Sequence, residues 1–305
     1  MNSVSAHTVP VSMLKQIARS GHVYALPRSF GALVKAGGAF NPKLIGVNKA
    51  STITAFCSKH DTSLFAPIEN GDLQPCVEHA FLLSFRAVAY ELFAKEAAVL
   101  SDSDRRDMDK GLPYVMQVVM QQTNSDMTTG FQTALRDLQY AKDELDQMWR
   151  SKDFSGIEFG VFSFKAVPDV MCCTCGTPSF DFHGKPLQDL GKLDVRMQGF
   201  SLSILGARDL GCAFFAWTKA NATVSRRFLH SLIANGKAAV SHAIMRYVLE
   251  KCENVYLRPE WWEGLSKDTH GFLVDRLRDA ADLNTDIRPD ALIDDGLRLV
   301  DFSRF

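Results

Sequence analysis

The sequence predicts an α+β fold in three parts, and three features carry that prediction. Apolar residues recur at helical spacing between Cys76 and Arg150. Strand-like alternation takes over after Gly156. Short β-prone runs lead into a helix ahead of Glu69. The predicted order is a small ββα module over residues 1–71, a helical hairpin or bundle over 72–150, and an α+β domain with an antiparallel sheet over 151–305.

Met13, Leu14 and Ile17 share one face of a short helix, and Gly21 is its stop. His22–Leu26 reads as a strand closed by Pro27, and Gly31–Lys43 as a loop or hairpin. Ser51–Ala55 is β-prone, and Cys57–Phe65 turns into a helix. Small strands followed by a helix, with His at the start and Cys/His at the end, give the outline of a ββα-metal module. Asn70-Gly71-Asp72 marks a boundary, and Pro75 suits the first turn of the next helix. There Phe81, Phe85, Val88 and Leu92 step by threes and fours, widened by Leu82, Ala89 and Phe93, so the helix is deeply buried. Gly111-Leu112-Pro113 interrupts the helical region. A long polar helix then runs through Arg150 on a narrower stripe of Phe131, Leu135, Leu138, Leu145 and Trp149.

IEFGVFSFKAV alternates as a half-buried strand, and Val170–Cys175, Gly199–Leu205 and Cys212–Thr218 are further β runs. The last two are joined through Ala207–Gly211 as a hairpin. Ala222–Ile233 and Ala238–Lys251 read as helices, Asn254–Leu257 as a strand, and Pro259 and His270 each open a helical segment. Leu297–Phe302 reads as an edge strand.

Composition narrows the function classes. The 305 residues are 46% hydrophobic and 23% charged, as in ordinary globular proteins, and 21 Phe predict an aromatic core. With 34 basic against 35 acidic residues, a nucleic-acid contact needs a local patch. No apolar run reaches membrane-spanning or signal-peptide length, which predicts a cytoplasmic protein with seven reduced or metal-bound Cys and no membrane partner. G-x-S-x-G, P-loop and G-x-G-x-x-G motifs are missing, against serine-hydrolase, nucleotide-hydrolase and dinucleotide readings.

Phe56-Cys57-Ser58-Lys59-His60-Asp61 is the densest group of metal-competent side chains. Cys57-x2-His60 is half a zinc site by ligand type, and Cys76-x2-His79 repeats its spacing. The alternative is a core Cys and a surface His in each pair. In Cys172-Cys173-x-Cys175 the alternation of a strand puts Cys173 and Cys175 on one face and Cys172 on the other. These thiols are either buried apolar residues or metal ligands. Trp261-Trp262 reads as packing first and a stacking surface second. Arg226-Arg227 and Lys15, Arg19 and Arg28 are small basic groups with phosphate contacts as their functional alternative.

Ser5-Ala6-His7-Thr8-Val9-Pro10, Gly21-His22-Val23-Tyr24, Ile45-Gly46 with Ala50-Ser51-Thr52, and Phe56-Cys57 with His60-Asp61 and Phe65-x-Pro67-Ile68-Glu69 resemble a bacterial family. Its N-terminal part is similar to a divergent HNH-type (ββα-metal) module. Glu78 with Ala80–Leu83, Glu253-Asn254 and Pro259-x-Trp261-Trp262 extend the resemblance along the chain. It implies His7 as general base, with Asn48, His60 or Asp61 holding a divalent ion (zinc or magnesium) or the phosphate. Cys57, His60, Asp61, Cys76 and His79 are the metal-ligand candidates. The expected function is an HNH-like metal-dependent phosphodiesterase, a nuclease or nuclease-like effector in phage defence. Its alternative is a non-catalytic zinc-stabilised binding or scaffold protein. A thiol-dependent enzyme using Cys57 or Cys172–Cys175 is a third reading. Nucleic acid, a protein partner and a second copy of the chain are the partner classes.

Overall fold

The computed structural model describes residues 3–26, 41–69, 73–208, 210–281 and 287–299; the side chains of Ser3, His60 and Ala281 fall outside that description. In chain order the N-terminal elements are β1 (Ser3–His7), α1 (Val11–Ile17), β2 (His22–Ala25), β3 (Lys43–Gly46), β4 (Thr52–Cys57) and α2 (Ser58–Glu69). Then come α3 (Val77–Leu100), α4 (Asp102–Arg106) and α5 (Tyr114–Ser151). The remainder comprises β5 (Ile157–Phe164), β6 (Val170–Gly176), β7 (Phe200–Ala207), β8 (Leu210–Thr218), α6 (Ala222–Ala234), α7 (Lys237–Lys251), β9 (Val255–Leu257), α8 (Pro259–Glu263) and α9 (Lys267–Ala281). The class is α+β, as the sequence predicts. The 31–43 loop and the Asn70–Asp72 boundary fall wholly or largely outside the described residues. Leu297–Leu299, predicted as strand, has no strand pairing, and the rest of that run lies outside them.

One antiparallel sheet organises the molecule, in the order β3-β2-β9-β6-β7-β8-β5. It is not confined to residues 151–305. Tyr24 of β2 pairs with Leu257 of β9, so N-terminal strands complete a sheet begun far along the chain. β6 and β7 are covered on both sides, which is why Val-Met-Cys-Cys-Thr-Cys reads as continuously apolar where β5 alternates. On one face Met171, Cys173, Phe214 and Ala216 pack with α1, α2, α3 and α5. On the other, Cys172, Leu202, Ile204 and Phe215 pack with α6, α7 and α9. The predicted alternation of the three thiols on β6 is observed.

The predicted helical hairpin is α3 against α5. Phe81 stacks with Trp149, Lys142 covers the Phe85 ring and Lys95 approaches Phe131, so numbers rise on one helix as they fall on the other. Pro113 is the N-cap that starts α5, as a residue without a free N–H suits. The first turns of α5 leave Tyr114, Val115, Val118 and Val119 exposed. The aromatic core is present: Phe81 and Phe154 ring centres lie 4.3 Å apart, and Phe200 and Phe228 4.9 Å.

β1 and β4 form a separate antiparallel pair, tied to the main sheet by a buried polar cluster. Asn254 donates to Thr8 Oγ1 and to the Cys173 carbonyl, both at 2.7 Å, and accepts from the Tyr256 hydroxyl at 2.7 Å. Ser51 Oγ bonds the Thr8 hydroxyl and accepts the Val9 N–H.

A second polar cluster fixes residues 287–299 onto α7 and α9. Arg276 binds Glu250 and Asp295, and Arg246 binds Asp294 and Asp295. The Arg298 guanidinium and the Gly296 N–H hold the Asp294 carboxyl at about 2, below the usual range. A carboxylate with a depressed folded-state pKa stabilises the fold above its unfolded value, near 3.9, and loses that contribution as pH falls. Stability is therefore expected to hold down to about pH 4 and to decline between about 4 and 2. Asp294→Asn should flatten part of that decline in urea titrations at stepped pH.

A buried cavity as the candidate functional site

The antiparallel ladder decides where the predicted nuclease residues go. His7 ends β1 and pairs with Thr52, which begins β4, whereas Cys57 ends β4 and pairs with Ser3. The two ends of that ladder are roughly 15 Å apart at a strand's rise per residue. The His7 imidazole Nε2 lies 3.2 Å from the Val47 carbonyl, beside the exposed Asn48. Asp61 lies at the other end, in the first turn of α2, with Oδ1 buried and without a hydrogen-bond partner. The fold thus brings His7 towards Asn48, and Cys57 towards Asp61, but does not join the two pairs. The His60 side chain lies outside the described residues.

His79 is buried, and its Nδ1 accepts the Gln74 N–H at 2.9 Å. Burial lowers its pKa against the opposing pull of Glu78. Among the described residues, no three His, Cys, Asp or Glu side chains are grouped to hold a metal ion. Cys57, Cys76 and His79 therefore do not form three corners of the predicted tetrahedral set. The repeated C-x2-H spacing misleads because Cys76 caps α3 while His79 turns into its buried face.

The basic candidates are engaged inside the molecule. Arg19 makes a two-pronged contact with Glu263, Arg226 does the same with Glu158, and Arg227 donates to the Pro186 carbonyl. Arg28 lies outside the described residues, and Lys15 is exposed. Trp262 is buried and Trp261 donates to the Leu299 carbonyl, so this pair packs.

Burial holds Cys172, Cys173, Cys175 and Cys212 in the protonated thiol form. Burial pushes Cys173 and Cys212 up to about 12, and raises Cys172 and Cys175 well above the ordinary thiol value. Iodoacetamide at pH 8 is expected to leave all four unmodified in the native protein and to label them after unfolding, as read by mass spectrometry. Fast native labelling of Cys175 would restore a thiol-based reaction.

A different site emerges between α3, α5 and the sheet. A cavity of about 390 Å³ lies where β6 ends and β7 begins. Val88, Leu138, Ala141, Leu145 and Phe200 give it apolar walls, and Leu190, Leu193 and Met197 close one side. That side belongs to the connection between β6 and β7, which α5 clasps. Arg136 donates to the carbonyls of Leu193 and Val195, and Asp137 accepts the Met197 N–H.

At one end the cavity turns polar. Glu91 is only 5% exposed; its Oε1 accepts the Thr174 hydroxyl at 2.8 Å and the Cys175 N–H at 3.3 Å. Burial raises its pKa, opposed by the charge of Lys95 and reinforced by that of Glu253. Lys95 Nζ is 3.4 Å from Glu253 Oε1, and the two acids hold the lysine's pKa up despite its burial. Ser84 and Ser201 satisfy each other at 2.7 Å, and Asn221 bonds Thr218 and the Gly199 N–H. Ser84, Val88, Glu91 and Lys95 fall on one face of α3 at steps of four, three and four. A carboxylate on the buried face of an apolar helix is the sequence signal that marks this site. The stripe of Phe81, Phe85 and Leu92 obscured it.

No family model, curated protein or solved structure matches the chain. No helix among the described residues is long and apolar enough to cross a membrane.

Proposed function

We propose that this protein binds a small, largely apolar molecule in the cavity between α3, α5 and the sheet. The observation that carries the reading is a carboxylate buried at the polar end of a cavity with apolar walls. Burying a charge is costly, and such groups concentrate at functional sites. The volume and the mixture of apolar wall with a few polar groups suit a small-molecule site. The raised thiols of Cys172, Cys173 and Cys175 weigh against covalent chemistry at that cluster. The buried carboxylate and the cavity support the binding class over the nuclease class.

The phosphodiesterase reading needs the His7 imidazole beside the Cys57, His60 and Asp61 group. The distance along the β1–β4 ladder gives it no support. Plasmid and RNA are expected to stay intact in magnesium or manganese, and cleavage lost in His7→Ala would reverse that conclusion.

The binding reading is tested with Nile red, a neutral apolar dye, and the variant Ala141→Trp, which fills the cavity from α5. The native protein is expected to bind and brighten the dye. The variant, with unchanged circular dichroism, should lose at least about tenfold in affinity, since a filled site has no room for the probe. Equal binding by both proteins rules the cavity out.

A further inference from the structure

The polar end of the cavity has a buried acid, Glu91, and an exposed one, Glu253, with Lys95, one turn beyond Glu91 on α3, between them. Lys251 supplies a second ammonium at the exposed rim. Asp137 is matched by Arg136 and by the Met197 N–H, so its charge is already met. Ser84 pairs with Ser201, Asn221 with Thr218, and Thr133 donates to the Thr129 carbonyl. Among the described residues, the second oxygen of Glu91 has no donor, and it belongs to a side chain that is almost wholly buried.

We propose that the ligand is an apolar primary amine, whose ammonium group sits against Glu91 at the Glu253 end of the cavity while its body lies along Val88, Leu138 and Phe200. This rests on the binding reading above and adds the chemistry of the recognised group. A ligand cation gives the unmatched Glu91 oxygen a charge-assisted donor. A ligand anion would reach Lys95 only by lying against two carboxylates. A neutral head group would offer that oxygen only the weaker, uncharged donor. The apolar walls hold the rest of the molecule by excluding water from it.

Three probes of one shape separate the possibilities: 2-phenylethylamine, 2-phenylethanol and 3-phenylpropanoate. Each is titrated by calorimetry into the native protein, Glu91→Gln and Ala141→Trp. The amine is expected to bind native protein about tenfold or more tighter than the alcohol, the scale of a charge-assisted hydrogen bond, and the acid weakest. Glu91→Gln should bring the amine down to the alcohol's affinity without changing the alcohol, which also reports an intact cavity. Ala141→Trp should abolish binding of all three. If the alcohol or the acid binds native protein as tightly as the amine, and Ala141→Trp still blocks it, the amine proposal fails and the cavity reading survives. If no probe binds, or Ala141→Trp changes nothing, both fail.

Discussion

Arg86→Ala is expected to destabilise the protein by about 3–5 kcal/mol, and Arg86→Met by little or nothing. Arg86 projects from α3 into the core and is 1% exposed. Its guanidinium lies 4.0 Å over the Phe65 ring and pairs with Glu69, but Nε and Nη1 have no acceptor among the described residues. Alanine removes a long side chain from a packed interior and leaves a void. Methionine fills most of that volume without burying a half-satisfied charge, so the gain in desolvation offsets the lost pair. Urea unfolding of the three proteins gives the comparison. A methionine variant as unstable as the alanine one would show that the Glu69 pair, not the volume, is what α2 depends on.

The second large effect is expected at Asn254. Its side chain joins three separate parts of the chain: Thr8 after β1, Cys173 on β6 and Tyr256 on β9. Asn254→Ala strips all three partners in a site closed to water, which should destabilise by about 3 kcal/mol. The loss should appear locally as well as globally. Hydrogen exchange of the β1–β4 pair is expected to accelerate more than that of β7 and β8, because Asn254 tethers the smaller pair to the sheet. Uniform acceleration across both would mean that the two sheets unfold as one cooperative unit.

The helices and most strands were legible because each follows from local spacing. Phe81, Phe85, Val88 and Leu92 declare the buried face of α3, and the alternation in the first half of β5 declares a strand, though its residues pack on both sides of the sheet. Sheet order was not legible. Nothing near Tyr24 announces Leu257 as its neighbour, since pairing between distant strands leaves no local period. The candidate site followed the same division. His7 and Cys57 look close when the module is drawn as a list of elements, but antiparallel direction sends the last residue of one strand to the first of the other. Glu91 and Lys95 lie on α3 among apolar residues whose stripe reads as packing alone, so they passed unmarked. Glu253 comes to them only through the path of the chain between α7 and β9.

That path bears on how the protein is made. The strand that seats β2 in the sheet is β9, so the central layer cannot close until the ribosome has produced almost the entire sequence described here. Until then β2 and the β9-facing edge of β6 have no strand partner, a state that favours aggregation or capture by a chaperone. Fragments ending before Val255 inherit that exposure permanently, and truncation from the C-terminal side should yield insoluble product instead of a smaller folded unit.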